Sequence, residues 1–299
     1  MHGGGAAGTA AAQHAGRLRW ALALTATYMV AEVVGGLVTG SLALLADAAH
    51  MMTDVGGLAL ALLAIRFAER EATPQRTYGY LRMEVLSALT NAVVLLLLTV
   101  YILYEAYQRF QAPPEIRSGP MLVVAAIGLV VNLISMRLLV GGSAESLNVK
   151  GAYFEVLSDM LGSIGVIVAS FLIMWKGWVL ADPIIGAGIG LFIVPRTWTL
   201  LKQVTHILME GTPPNVDLGT LERKLMEISG VTAVHDLHVW TVTSGFDAMS
   251  GHLVVADMSR GREALREARR MMQVDFGIDH VTVQIEDEAI RAEEAVLHV

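Results

Sequence analysis

The chain has 299 residues, of which 54% are hydrophobic and 16% charged, with a mean hydropathy of +0.55. A soluble domain carries about a quarter charged residues, so these proportions exclude an ordinary soluble enzyme and fit a membrane protein with a modest soluble part. The absence of cysteine excludes disulfides, Cys-based zinc sites and thiol nucleophiles, and a net charge of -7 argues against a nucleic-acid partner.

Residues 1–16 are rich in Gly and Ala and are expected to form a flexible tail. They carry no basic region followed by a short apolar stretch, so they do not read as a secretory signal. A helix needs about 20 apolar residues to cross the hydrocarbon core. Six stretches qualify: Leu18–Thr39, Ser41–Phe67, Met83–Phe110, Met121–Leu139, Gly151–Trp175 and Leu180–Ile207. Gly40-Ser41 joins the first two so tightly that they form a helical hairpin. With the N-terminus inside, the inner side collects ten Lys and Arg residues, Arg82 and Arg196 among them, and the outer side three. That asymmetry places both termini in the cytoplasm. Residues 17–210 are thus predicted to be a six-helix transmembrane domain.

Gly211-Thr212-Pro213-Pro214 punctuates the change to an acidic soluble sequence, and residues 211–299 form the second predicted domain. Val216–Ile228 has a helical apolar pattern, His235–Thr243 alternates, Ser250–Ala256 reads as a second strand, Gly261–Val274 as an Arg/Glu-rich helix, and His280–Glu286 alternates again. This order predicts a small α+β domain with helices on one face of the sheet.

The second span contains His50 and Asp54, and the fifth contains Glu155 and Asp159. Each pair is spaced i, i+4 and so shares one helix face. An ionised group near the bilayer centre costs about 2.5–3.5 kcal/mol on insertion scales, so four such groups need a common purpose. If the two faces meet, one imidazole and three carboxylates surround a point, a set that suits a divalent cation such as Zn2+. With His50 neutral, the three carboxylates give a charge of -3, and a divalent cation leaves -1. Asp47 lies near the same face and is read as supporting the set or lining an aqueous path. Glu32, Asn91 and Asn132 are expected to make interhelical hydrogen bonds.

In the soluble part, regular alternation puts His235 and His238 on opposite faces of their strand. His235, His252 and Glu286 converge if the three strands pair, which would make a second metal site.

These residues sit in longer motifs. Ser41–Met51 with Asp54, Tyr78–Glu84, Ser146–Ala152 leading to Asp159, and His235–Trp240 follow one another from Arg17 to Glu286. The combination resembles the cation diffusion facilitator family, in its zinc-transporter branch of bacterial cobalt–zinc–cadmium efflux type. The resemblance implies a homodimeric metal–proton antiporter of the inner (plasma) membrane, with six transmembrane helices and a C-terminal cytoplasmic α+β metallochaperone-like domain that helps to dimerise. It implies His50, Asp54, Glu155 and Asp159 as the intramembrane ligands and His235, His252 and Glu286 as cytoplasmic ones. It also places Arg82 opposite an acid after the sixth span, Glu210, as a charge lock of the dimer. The zinc branch often has His where this chain has Glu155. No ligand of the family's site after the second span is found in Thr73–Tyr80, and Gly141–Asn148 holds no His.

The expected activity is export of Zn2+, with Co2+ and Cd2+ as further candidates, against protons; ligands must lose protons to bind metal, so the two compete. The partners are then metal ions, protons and lipid, with no nucleic acid. The rival class is a membrane-embedded metal sensor or intramembrane metalloenzyme. His50-Met51-Met52-Thr53-Asp54 lacks the Glu general base of a zinc hydrolase helix, and Gly211–Val299 carries no output signature.

Overall fold

The structure is a computed structural model that describes residues 10–68, 70–140 and 147–294. Six long helices come first: α1 Ala10–Thr39, α2 Leu42–Ala68, α3 Met83–Gln111, α4 Ser118–Leu139, α5 Leu147–Lys176 and α6 Ala181–Leu208. They are followed by α7 Leu218–Met226, β1 Val231–Thr243, β2 Phe246–Val255, α8 Gly261–Met271, β3 His280–Glu286 and α9 Glu288–Glu294. Among the described residues, α3, α4, α6 and the Tyr153–Lys176 part of α5 are long and apolar enough to cross a membrane. The helix begins at Ala10, so the last part of the expected tail is helical: Ala-rich sequence favours helix over coil. Residues 1–9 of that tail lie outside the described residues, as do Gly141–Ser146.

The chain forms two compact units. One is built on the residues up to Ala59 together with Thr90–Thr199, the other on Leu60–Leu89 together with the chain from Leu200 onward. In the first, α4 packs against α1 and α5. Its buried apolar residues include Ala43, Leu44, Met121, Ala125, Val166 and Ala169. The small side chains of Ala43, Ala125 and Ala169 let helices approach closely, which is how helices associate where no hydrophobic effect drives them together. Gly128 is the extreme case: a Cβ there would lie 1.9 Å from the Tyr28 hydroxyl.

In the second unit β2 is central, antiparallel to β1 and parallel to β3. Leu221, Leu225, Val239, Met249, Leu253 and Ala268 form a core between the sheet and its helices. The helices are shorter than the apolar patterns predict. Asp217 caps α7, its carboxylate accepting a hydrogen bond from the Thr220 backbone N–H at 2.7 Å, so α7 starts after it. These hydrogen bonds to Thr220 hold the Asp217 carboxyl below its ordinary pKa. α8 gives way to a wider turn at Met272–Phe276, closed by Gly277 at φ 69°, a left-handed end that suits glycine.

Candidate metal centre

The centre is built from the start of α2. Gly40, at φ 74°, turns the chain out of α1, and the first amides of α2 need acceptors. Asp182 of α6 supplies them: its carboxylate accepts from the Ser41 hydroxyl at 2.5 Å, the Leu42 N–H at 2.7 Å and the Ala43 N–H at 3.1 Å. Arg109 of α3 donates to the Gly40 carbonyl at 2.5 Å and lies 3.4 Å from Asp182. One fully buried carboxylate thus fixes where α2 begins relative to α6. Sequence reasoning missed it because an Asp at the head of a span looks like an ordinary helix cap.

From that anchor, α2 carries His50 and Asp54 toward Glu155 and Asp159 of α5. His50 Nε2 lies 3.6 Å from Asp54 Oδ2 and 4.0 Å from Asp159 Oδ1. Ligand atoms of His50, Asp54 and Glu155 all fall within 4.8 Å of one another. His50 is 8% and Asp159 2% exposed. Asp159 Oδ1, on the side of His50 Nε2, is buried without a hydrogen-bond partner, as is His50 Nδ1 on the other side of the ring; a buried unpartnered oxygen facing the cluster is costly unless a ligand satisfies it. The donor set of one imidazole and three carboxylates is borderline-to-hard and suits a divalent cation. A cleft of about 410 Å³, lined by Asp47 and His50 and by residues of α5 and α6, opens onto the site.

Arg196 of α6 was counted in the sequence only as an inner-side basic residue. In the structure its Nη1 donates to Glu155 Oε2 at 2.7 Å, and its charge also acts on Asp54 and Asp159. The charge count therefore changes. Three carboxylates with Arg196 and neutral His50 carry -2, which a divalent cation neutralises. A linear sequence could not show this, because Arg196 and Glu155 lie 41 residues apart on helices whose rotation is set by packing.

Behind the cluster the polarity continues. The Tyr28 hydroxyl donates to Glu32 Oε1 at 2.6 Å on the same helix. Glu32 Oε2 and Asp47 Oδ2 are buried without a hydrogen-bond partner. Asp47 nests over Gly162 of α5, where a Cβ would meet its Oδ1 at 2.6 Å. Glu32 thus bonds first within α1. Asn132 does bridge helices, donating to Ser163 at 3.4 Å, and Asn91 packs beside Gly57.

The sheet assembles the second cluster. His235 pairs with His252 across β1 and β2, and Val254 with Glu286 across β2 and β3. Glu286 bridges the imidazoles, Oε2 to His235 Nε2 at 2.9 Å and Oε1 to His252 Nδ1 at 2.7 Å. Ligand atoms of the three residues lie within 4.8 Å of one another. The expectation that His235 and His238 face opposite ways fails. A bulge between them sets His235 against His252 and His238 against Ser250, with Asp236 at φ 50°. One extra residue shifts the alternation, so both imidazoles share a face. Asp236 then lies 3.0 Å from His238 Nε2 and 3.7 Å from His252 Nε2. Arg82 and Glu210 pair at 2.8 Å within the one chain, with side chains 40% and 60% exposed.

Residues 18–209 match the model of the cation efflux transmembrane domain, and residues 213–288 that of the cation efflux protein cytoplasmic domain. The chain belongs to the cation efflux family. It is 49% identical over 282 residues to the metal cation efflux system protein CzcD of Cupriavidus metallidurans, covering 94% of this chain and 89% of that protein. It is 42% identical over 275 residues to the cadmium, cobalt and zinc/H(+)-K(+) antiporter of Bacillus subtilis, covering 90% and 88%. With the zinc transporter ZitB of Escherichia coli it shares 41% identity over 275 residues, covering 91% and 88%. This cation efflux protein is a multi-pass membrane transporter with a cytoplasmic domain, not an enzyme.

Proposed function

We propose that this cation efflux protein exports Zn2+, with Co2+ and Cd2+ as further substrates, from the cytoplasm across the inner membrane in exchange for protons. The observation that carries this reading is the cluster of His50, Asp54, Glu155 and Asp159 on α2 and α5, with His50 and Asp159 buried, Asp54 and Glu155 half-buried, and Asp159 Oδ1 left without a hydrogen-bond partner. In this reading the four residues bind the substrate ion. Deprotonated ligands hold the metal on the cytoplasmic side, and protons taken up on the far side displace it. Rocking of helices about the site alternates its access. The names of the relatives, among them a cadmium, cobalt and zinc antiporter, support the substrate class.

The reading extends to the rest of the chain. Residues 17–210 form six lipid-embedded spans with both termini cytoplasmic, after a tail at 1–16, and residues 211–299 form the cytoplasmic domain. The protein works as a homodimer, with Arg82 and Glu210 as a charge lock near its boundary. Two imidazole nitrogens and a bridging carboxylate fit Zn2+ chemically, so His235, His252 and Glu286 would hold a regulatory ion, which would tie β1, β2 and β3 together.

The test is zinc flux into sealed proteoliposomes holding the full-length protein, read with a fluorescent zinc indicator. The reading expects uptake that depends on a proton gradient. Zinc binding without flux would instead indicate a sensor.

A further inference from the structure

Arg196 donates a hydrogen bond to Glu155, a member of the membrane cluster. Resting on the efflux reading above, we propose that Arg196 is an internal competitor of the transported metal: it holds Glu155 by a charge-assisted hydrogen bond and so loosens the site's grip on a divalent cation.

Three observations meet in this residue. The first is geometric. Glu155 has a carboxylate oxygen within 4.8 Å of ligand atoms of His50 and Asp54, and its Oε2 accepts from Arg196 at 2.7 Å. A guanidinium bonded to a carboxylate fixes its orientation, and part of that carboxylate's charge is already spent. The second is electrostatic. Without Arg196, three carboxylates would face one divalent ion, and the loaded site would keep a negative charge inside an apolar bundle, where charge is expensive. Such a site binds tightly and releases slowly. With Arg196 the loaded set is neutral.

The third concerns mobility. The Arg196 side chain is 65% exposed, against 26% for Glu155, so the guanidinium is less hemmed in by protein atoms than the carboxylate it holds. It also follows Pro195 inside α6. Proline has no N–H to give to the carbonyl four residues earlier, so the helix is locally less restrained where Arg196 must move. A transporter needs an affinity that captures and releases the ion, and an internal cation sharing one ligand provides that without altering the ligand set.

The experiment uses the full-length protein in sealed proteoliposomes, with Zn2+ as the probe and both equilibrium binding and initial flux measured. Arg196→Gln is expected to bind Zn2+ about ten-fold tighter, the order expected for removing one nearby charge in a partly dry site, with KM and maximal rate both lowered. Arg196→Met serves the same test if the Gln variant expresses poorly, and Arg196→Lys should stay near the parent. In a Glu155→Gln background Arg196 has no anchor beside the metal, so adding Arg196→Gln should change binding by about two-fold or less. Weaker zinc binding, a raised KM, or parental constants in Arg196→Gln would overturn the inference. So would an effect of undiminished size in the Glu155→Gln background. A parent that moves no zinc would instead overturn the efflux reading, and this inference with it.

Discussion

The membrane bundle and the cytoplasmic sheet both gather imidazole and carboxylate groups, but by different means. In the bundle, two i, i+4 pairs on α2 and α5 present four groups from rigid helical faces, and the anchoring of α2 by Asp182 brings His50 and Asp54 to the cluster. In the sheet, one residue from each of three strands meets through cross-strand register, and Glu286 already satisfies both imidazoles. The first cluster leaves ligand atoms unpartnered, whereas the second is internally bonded. On the proposed function, the difference assigns the bundle to an ion that comes and goes and the sheet to one that stabilises an arrangement.

The largest effect should come from the bundle. Asp54→Ala or Asp159→Ala removes a charged ligand, so zinc flux should fall to background at normal expression. Glu155→His is gentler. It replaces one ligand with another and also releases Arg196, so the loaded site stays neutral. Zinc transport should persist with a shifted pH profile and a Cd2+ to Zn2+ ratio moved toward the softer ion. Unchanged metal ratios and pH profiles would remove Glu155 from the ligand set.

The contrast extends to what a sequence can reveal. Helical spacing is a fixed rule, so His50, Asp54, Glu155 and Asp159 could be paired by counting, and the apolar runs located the helices within a few residues except at the start of α1, which begins at Ala10 rather than Leu18. The sheet obeys alternation only until a bulge intervenes, and the one hint in Val234–Trp240 is Asp236 itself, a residue type that tolerates the positive φ it adopts. His235, His252 and Glu286 could be grouped only by assuming that their strands pair. Arg196 was missed for a third reason. Its role depends on which way α6 is rotated, a property of packing rather than of any local pattern, whereas Asp182 was hidden by its resemblance to an ordinary helix cap.

Smaller effects separate structural supports from ligands. Asp182→Ala strands the buried amides at the start of α2, each costing about 1–3 kcal/mol, so thermal stability in detergent should fall along with flux. His252→Ala should abolish metal binding by the cytoplasmic domain yet leave residual flux, which distinguishes a regulatory ion from the cargo. Arg82 and Glu210 are well exposed, and such pairs contribute about 0–1 kcal/mol. Arg82→Glu should therefore barely move the melting temperature, and any transport defect should be partly restored by adding Glu210→Arg. The smallest effect is the Asp217 cap. Its folded pKa is depressed by hydrogen bonds to Thr220, so its contribution is present above the ordinary carboxylate range and lost as pH falls through the lowered value. Asp217→Asn should erase that acid sensitivity of α7.

The most direct test of the account follows zinc and protons together in sealed proteoliposomes, with indicators for both inside. The account predicts that the parent moves zinc and protons in opposite directions, and that Asp159→Ala abolishes both movements. Robust zinc flux in Asp159→Ala, or zinc flux in the parent with no proton movement, would contradict it.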